Sequence, residues 1–312
     1  MCGLCGFLSY DTKPIKDINI LTNELMESAS VRGTDAAGIA FCRNGNVFIS
    51  KEGKSAEKID FKLPEAVKAL IGHTRHSTQG SEKKNYNNHP FYGRIKNNVF
   101  ALAHNGVLTN DTALKNKHKL PATKVETDSY VAVQLIEKFG KLDTSTLKKM
   151  AEAVEGSFSF SVLDSYGNIY LVKGDSPITL LHFPKQKLYV YASTDEILWK
   201  ALIETNLFEL LKAGEYEIVK MDEGDILTIT PKGKIKRSEF KYTYQPYSIL
   251  SDWRYYGYYY GAEFEDDYLA DLKTVASHLG ITPDEIDSLI EEGFMPDEIE
   301  DLIYNYNEKT EV

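Results

Sequence analysis

The chain begins Met1-Cys2-Gly3-Leu4-Cys5-Gly6, which places a cysteine directly behind the methionine. Initiator methionine is readily trimmed when the next residue is small, and trimming would leave Cys2 with a free α-amine. Such an amine has a pKa of about 7.7–8.0, and it would sit on the same residue as a thiol with a pKa of about 8.5. One residue would then supply both a nucleophile and its base. A cysteine at position 2 can also be incidental, so the rest of the chain has to decide.

Working outward from Cys2, four further segments are polar and glycine-flanked where a core strand would be apolar. They are Arg32-Gly33-Thr34-Asp35-Ala36-Ala37-Gly38-Ile39, Gly72-His73-Thr74-Arg75-His76-Ser77-Thr78-Gln79-Gly80, Ala103-His104-Asn105-Gly106-Val107-Leu108-Thr109-Asn110 and Glu126-Thr127-Asp128. With the first six residues they resemble the glutaminase domain of class II glutamine amidotransferases, in particular those of glucosamine-6-phosphate synthase and amidophosphoribosyltransferase. The five segments follow the order of that family, and the resemblance covers about residues 2–235.

The resemblance implies a catalytic chemistry for three residues. Cys2 would attack the side-chain amide of L-glutamine and form a γ-glutamyl thioester that water hydrolyses, with its α-amine as general base. The Asn105 side-chain amide and the Gly106 backbone N–H would form the oxyanion hole. The family performs this reaction without metal, so we expect neither a metal nor a cofactor. The chain is therefore expected to be an amide hydrolase.

Four residues match the substrate-binding positions of the family. Arg75 would hold the α-carboxylate of glutamine, a task that suits a planar guanidinium. Asp128 would pair with the α-ammonium group, and Thr78 and Gln79 would also contact the substrate.

Each of these assignments has a simpler alternative. Asn105-Gly106 is a common turn dipeptide. Arg75 could form a surface salt bridge. Asp128 could cap the helix predicted to follow it.

Three further residues are expected to act around the site. Arg32 and Asp35 would hold the strand of the nucleophile in place. His89, in an Asn-rich loop before Pro90, resembles part of the family's flap over the glutamine site. The four histidines of this region raise a metal alternative, which we disfavour because no cysteine or carboxylate cluster completes a ligand set; they are His73, His76, His89 and His104.

Periodicity along residues 1–240 indicates antiparallel strands interleaved with a few helices, hence an α+β fold. Hairpin signals lie at Arg43-Asn44-Gly45-Asn46, Tyr166-Gly167-Asn168 and Pro231-Lys232-Gly233. Predicted helices span 18–30, 128–138, 145–154 and 196–203. The family resemblance adds that the fold is the four-layer αββα sandwich of N-terminal-nucleophile hydrolases, with a small C-terminal helical appendage. Cys5 and Cys42 are predicted to pack in strands.

The composition narrows the classes of function. The chain has a net charge of −10, yet residues 261–312 hold sixteen Asp or Glu and two Lys, a balance of −14, which leaves +4 on residues 1–260. An acidic tail argues against nucleic-acid binding. No apolar run reaches the roughly 18 residues of a membrane span, and three cysteines are too few for a disulfide framework. We therefore expect a cytoplasmic protein.

The organisation predicted from these patterns has three parts. Residues 2–240 form the glutaminase domain, 241–263 a Tyr-rich linker and 264–307 a small acidic helical module. Nine of the twenty tyrosines lie between Tyr242 and Tyr268; the segment is interpreted as a linker, with docking on the domain or on a partner as the alternative. In the module, Thr282–Ile290 recurs as Met295–Ile303, and together with Asp267–Leu279 this predicts three short helices, interpreted as an interaction module or a structural cap.

The chain departs from the family in two ways. His76 stands where a large aromatic residue is usual, and Gln79 where histidine is frequent. The residues after 240 are too few for the synthase domain that family members carry, so the ammonia acceptor is expected to be a synthase in trans. The alternatives are a hydrolase of other γ-glutamyl amides or peptides, and a non-catalytic scaffold.

Overall fold

The computed structural model describes residues 2–96, 98–243, 273, 276, 281–291 and 299. The chain divides into two units, Met1–Gln245 and Pro246–Val312. Most of the predicted Tyr-rich linker lies outside the described residues. None of the helices among the described residues is long and apolar enough to span a bilayer.

The first unit contains two antiparallel sheets. Sheet 1 has seven strands in the order β11-β9-β10-β1-β4-β2-β3, and sheet 2 has six in the order β13-β12-β8-β7-β6-β5. The strands of sheet 1 are β1 Gly3–Ser9, β2 Ala36–Arg43, β3 Asn46–Glu52, β4 Ala69–Arg75, β9 Thr179–Phe183, β10 Leu188–Ala192 and β11 Glu217–Ile218. Those of sheet 2 are β5 Phe91–Ile95, β6 Asn98–Leu108, β7 Gly156–Asp164, β8 Ile169–Lys173, β12 Asp225–Ile229 and β13 Ile235–Glu239.

Helices cover the outer face of each sheet. Those on sheet 1 are α1 Ile18–Ala29, α5 Asp195–Ile203 and α6 Phe208–Lys212, and those on sheet 2 are α2 Asp111–His118, α3 Tyr130–Phe139 and α4 Thr144–Ala151. Asp143 caps α4 by accepting from the Thr146 N–H at 2.8 Å. The bounds of α1, α3, α4 and α5 agree within two or three residues with the four helices predicted from periodicity. The prediction missed α2, which buries only Asp111 and Leu114, and α6, which buries only Leu211.

Three buried clusters define the layers. One joins sheet 1 to its helices, a second joins sheet 2 to its helices, and a third lies between the sheets. The strand β1 shows the alternation that this requires: Cys5 and Phe7 face the helices, and Leu4 and Leu8 face sheet 2. The predicted αββα sandwich is confirmed, and Cys5 and Cys42 lie in strands as expected.

The motif strands β4 and β6 correct one expectation. Their polar segments were not predicted as core strands, yet both lie next to the centre of their sheets. Several polar groups on these strands have partners: the His73 Nε2 lies 2.9 Å from the His104 carbonyl oxygen, and the Thr74 hydroxyl donates to the Ala29 carbonyl at 2.7 Å. The His73 Nδ1 and the Asn105 Nδ2 have no partner among the described residues.

The second unit is described in part. The helix α7 Pro283–Glu291 begins with a reciprocal capping box, in which the Glu285 carboxylate accepts from the Thr282 N–H at 2.8 Å. Ala276, Ile286 and Ile299, one from each predicted helix, are buried in one small cluster. The rest of the first and third predicted helices lies outside the described residues, and the predicted domain bounds stay a prediction.

Gly6 is the point at which a side chain would disrupt the packing of the sheets. A Cβ there would lie 2.3 Å from the Leu70 carbonyl oxygen and 2.7 Å from the Tyr191 ring. Tyr191 in turn joins the sheets, with its hydroxyl 2.5 Å from that of Ser161 on β7.

We expect Gly6→Ala to lower the free energy of unfolding by about 3 kcal/mol, because the backbone carbonyl has no room to retreat. Urea denaturation measures the change. Ser50→Ala, at an exposed position of β3, serves as control and should shift stability by less than about 0.5 kcal/mol. Equal stability of the two variants would contradict this packing.

Candidate active site

One cleft, enclosing about 240 Å³ with its open mouth, lies at the end of the sandwich where β1 begins and β4 ends. The pairing of Gly3 with Thr74 places Cys2 next to Arg75 on the neighbouring strand. Of the ten predicted site residues, seven line this cleft: Cys2, Arg75, Thr78, Gln79, His89, Gly106 and Asp128. Asn105, Arg32 and Asp35 lie outside its lining. His76, His104, Thr127 and Ser129 complete the wall.

Cys2 presents its thiol to the cleft and is partly exposed. The Sγ donates to the His76 carbonyl oxygen at 3.6 Å. Burial raises the pKa of the Cys2 thiol, while the nearby guanidinium groups of Arg75 and Arg32 oppose this rise. A thiol with a raised pKa is protonated at neutral pH, so nucleophilic attack requires a base close by.

Arg75 is 3% exposed and is held by neutral acceptors. Its Nη1 donates to the Asn88 Oδ1 at 2.8 Å, and its Nη2 donates to the carbonyls of Gln79 and Gly80, both at 2.7 Å. These bonds make a surface salt bridge the wrong interpretation of Arg75. Because the acceptors are neutral, these contacts do not neutralise the charge of the buried guanidinium at the wall of the cleft.

The segment His76–Lys84 is anchored from below by two asparagines. Asn88 Nδ2 donates to the Glu82 carbonyl at 2.8 Å, and Asn87 Nδ2 donates to the Ser81 carbonyl at 3.1 Å. Asn87 also accepts from the Glu126 N–H at 2.9 Å. The segment is therefore tied both to Arg75 and to the connection between α2 and α3 that carries Asp128.

Asn105 and Gly106 lie within β6 and do not form a turn. Gly106 has a φ of 134°, and a Cβ there would lie 2.0 Å from the Ser157 carbonyl oxygen, so only glycine fits. The Asn105 side chain is 1% exposed, and its Nδ2 has no hydrogen-bond partner among the residues that the structure describes. An unpaired buried donor is a costly feature, and it is what an oxyanion hole requires. Asn105 does not line the cleft, but it directly precedes Gly106, which does.

Asp128 is buried and bonded to the strand below it. Its Oδ2 accepts from the Leu108 N–H at 2.6 Å, and its Oδ1 accepts from the Ser129 hydroxyl at 3.3 Å. Ser129, not Asp128, precedes the first residue of α3, and no side chain caps this helix. The helix-cap alternative is therefore wrong, and the carboxylate faces the cleft.

Arg32 and Asp35 support the site from behind. The Arg32 Nε donates to the Cys2 carbonyl at 2.8 Å, and the Asp35 Oδ2 accepts from the Ser77 N–H at 2.7 Å. Gly33 allows the backbone between Arg32 and Asp35 to run close to Arg75, since a Cβ on Gly33 would lie 2.3 Å from the Arg75 backbone carbon.

Three of the four histidines form a buried stack. The ring centroids of His73 and His89 are 4.1 Å apart, and His89 also packs on Phe91 at 4.3 Å. His104 places its Nδ1 2.8 Å from the Ser129 hydroxyl, which links the stack to Asp128. Among the described residues, no group of three or more metal-ligating side chains could hold an ion.

His89 was expected in a flap, and the structure places it in the wall of the cleft. It is 4% exposed, and within the described part of the chain neither ring nitrogen has a hydrogen-bond partner. Burial lowers the pKa of His73 to about 3 and that of His89 well below its usual value, and it also lowers the pKa of His104. The stack is therefore neutral at pH 7.

The sequence of the chain is similar to those of known glutamine-dependent enzymes. Glutamine–fructose-6-phosphate aminotransferase [isomerizing] of Staphylococcus aureus strain Mu50 is 34% identical over 193 residues, covering 58% of this chain and 30% of that protein. Its counterpart from Geobacillus kaustophilus is 31% identical over 248 residues, covering 77% of this chain and 39% of that protein. The chain belongs to the class II glutamine amidotransferases. Members of this family are enzymes that hydrolyse the amide of glutamine.

The fold of this class II amidotransferase matches solved structures as well. Glutamine phosphoribosylpyrophosphate amidotransferase from B. subtilis superposes with a TM-score of 0.59 at 22% identity, over 78% of this chain and 50% of that one. The structure described as the allosteric regulatory enzyme of purine biosynthesis gives 0.60 at 21% identity, with the same coverage. No protein-family model matches the chain. The chain spans 30–39% of the length of the two curated relatives named above.

Sequence reasoning missed several residues of the amidotransferase cleft. Asn88, which holds Arg75, had no signal beyond the asparagine-rich stretch in which it lies. Thr127 lines the cleft with a buried hydroxyl that has no partner. Its place directly before Asp128 in a quoted motif could have indicated it.

The buried stack predicts acid sensitivity. A histidine whose folded pKa is depressed leaves stability intact above its unfolded pKa of about 6.5 and removes stability as pH falls below that value. Between pH 7.5 and pH 5 the free energy of unfolding should fall by about 2 kcal/mol less for His89→Phe than for the unsubstituted chain, because phenylalanine takes up no proton. Urea denaturation at both pH values measures this difference, and parallel pH profiles of the two proteins would contradict it.

Proposed function

We propose that this chain hydrolyses the side-chain amide of free glutamine to glutamate and ammonia through a γ-glutamyl thioester on Cys2. The observation that carries the proposal is the single cleft that combines the Cys2 thiol, the Arg75 guanidinium and the Asp128 carboxylate. These groups complement the reactive amide, the α-carboxylate and the α-ammonium of glutamine. They come from three separate parts of the chain, and the fold brings them together.

The proposed reaction starts with a proton transfer from the Cys2 thiol to its own α-amine, directly or through water. The sulfur attacks the amide carbon, and a C–S bond forms. The negative oxygen of the tetrahedral intermediate is held by the Asn105 Nδ2 and the Gly106 N–H. The C–N bond then breaks, the protonated amine returns its proton to the leaving nitrogen, and ammonia departs. Water attacks the thioester, releasing glutamate and the thiol.

This chemistry requires removal of Met1, since an α-nitrogen in a peptide bond is not a base. It also requires a reduced thiol, and we therefore assign the activity to the cytoplasm, where thiols remain reduced.

A second candidate substrate is a larger γ-glutamyl amide or a small γ-glutamyl peptide. The exposed side chains of His76, Thr78 and Gln79 at the cleft favour it, because they leave room beyond the amide. Arg75 and Asp128 would bind only the γ-glutamyl end of either substrate. Values of kcat/KM for glutamine and for γ-glutamyl dipeptides decide between them: a preference for the dipeptides would replace the first proposal.

We further propose that the ammonia is consumed by a synthase whose acceptor site lies outside these 312 residues. The name of the curated relatives, which pairs glutamine with fructose 6-phosphate, supports an acceptor of some kind. Co-purification from the native cell tests this, and the absence of any synthase-like protein would count against it.

Labelling with 6-diazo-5-oxo-L-norleucine, a glutamine analogue that alkylates such nucleophiles, tests the nucleophile. Intact mass should show a chain without Met1 that gains one adduct. Cys2→Ala should gain none, whereas Cys42→Ala, which removes another partly exposed cysteine, should react like the unsubstituted chain. An adduct of the same mass on Cys2→Ala would exclude Cys2 as the nucleophile.

The role of Asn105 is tested by kinetics. Asn105→Ala should lower kcat by about 10²–10³ and leave KM nearly unchanged, because the donor acts on the charge of the transition state. Asn46→Ala, at the exposed first residue of β3, should leave both constants unchanged. A rise in KM with an unaltered kcat would show that Asn105 binds the ground state instead.

A further inference from the structure

Lys51 of β3 makes three hydrogen bonds to residues 85–90, the segment that contains the Arg75 acceptor Asn88. Its Nζ donates to the Asn88 carbonyl at 2.5 Å and to the Pro90 carbonyl at 3.1 Å, and its own carbonyl accepts from the Asn85 Nδ2 at 2.8 Å. The ammonium also lies 5.1 Å from the centre of the Phe91 ring. The carbonyls of the residues on both sides of His89 are thus bonded to one amine.

The backbone of β2 closes the other side of this segment. Gly38 pairs with Lys51 in the sheet, and a Cβ on Gly38 would lie 2.3 Å from the His89 carbonyl oxygen. The segment therefore rests directly on the edge hairpin of sheet 1, and Lys51 is the side chain that binds it there.

Asn88 transmits this contact to the cleft. Its carbonyl receives the Lys51 bond, and its Oδ1 receives the Arg75 Nη1 bond at 2.8 Å. The Asn88 Nδ2 also donates to the Glu82 carbonyl, within the segment His76–Lys84. A shift of the Asn88 backbone would move the acceptor that orients the guanidinium.

The Lys51 contact is made at a cost to stability. Burial, together with the positive charge of Arg75, lowers the pKa of Lys51 to about 8. Its acceptors are neutral carbonyls, which compensate a buried ammonium less than a carboxylate would. Features that cost stability are concentrated at functional sites.

We propose that Lys51 is a positioning residue for substrate binding: it holds the backbone of Asn88–Pro90 and, through Asn88, the orientation of the Arg75 guanidinium. The inference rests on the proposed function, in which Arg75 binds the α-carboxylate of glutamine. Lys51 itself does not line the cleft.

Steady-state kinetics with glutamine test the proposal on Lys51→Met, which keeps the length and apolar stem but removes the donors. KM should rise about tenfold with kcat within about twofold, because a misplaced guanidinium weakens binding of substrate and transition state alike. Lys54→Met is the matched control, since Lys54 is exposed and its ammonium pairs with Glu52 at 2.8 Å. It should leave both constants unchanged.

A double substitution separates positioning from general destabilisation. In an Arg75→Lys background, Lys51→Met should raise KM by less than about twofold, because the group that it positions is already absent. A full additional tenfold rise there, or a fall in kcat that accompanies a lowered Tm, would overturn the proposal. Should Lys51→Met not fold, Asn88→Ala removes the link itself and takes its place with the same expected rise in KM.

Failure of the proposed function is distinguishable from failure of this inference. An unsubstituted, Met1-free chain that hydrolyses no glutamine would overturn the proposed function. Calorimetric titration with glutamate would then test Lys51 by binding alone: a Kd raised about tenfold in Lys51→Met and unchanged in Lys54→Met supports positioning. Equal affinities, or no binding by the unsubstituted chain, overturn it.

Discussion

The antiparallel pairing of β1 with β4 is the constraint on which the site depends. Gly3 lies opposite Thr74 in this register, so the thiol of Cys2 and the guanidinium of Arg75 emerge side by side at one end of the sheet. Both faces of β1 are packed, with helices on one side and sheet 2 on the other. A slip by one residue would exchange these faces along the whole strand and is therefore strongly disfavoured. The packing that stabilises the sandwich thus also sets the position of the Cys2 thiol relative to Arg75.

The close approach of backbones explains where the glycines of the motifs lie. Gly33 lets its chain reach the backbone of Arg75, and Gly38 lets the segment with His89 rest on β2. At Gly106 the positive φ and the nearby Ser157 carbonyl both exclude a side chain. The site is therefore built from contacts between main chains, which tolerate little adjustment.

The electrostatic character of the cleft follows from burial. The histidine stack is neutral because solvation of its charged form is lost, and the thiol is kept protonated for the same reason. Arg75 and Lys51 keep their donors bonded to oxygen atoms of carbonyl and amide groups. Such an arrangement leaves positive charge available for an anionic ligand. The neutral histidine stack is the reason that the region is expected to lose stability in acid.

The sequence by itself determined the family and the α+β class. It also indicated the residues that we propose to carry the chemistry, because those residues are grouped in short contiguous motifs around Cys2, Arg75, Asn105 and Asp128. It also located the helices with clear apolar periodicity. Only the tertiary structure decided that β4 and β6 are buried strands, that His89 lies in the wall of the cleft, and that Lys51 and Arg75 both donate to Asn88. The physical reason is that partners for buried polar groups come from residues distant in the chain, as the 2.9 Å contact between His73 and His104 shows. A local pattern of hydrophobicity contains no information about such pairs, and the fold supplies it.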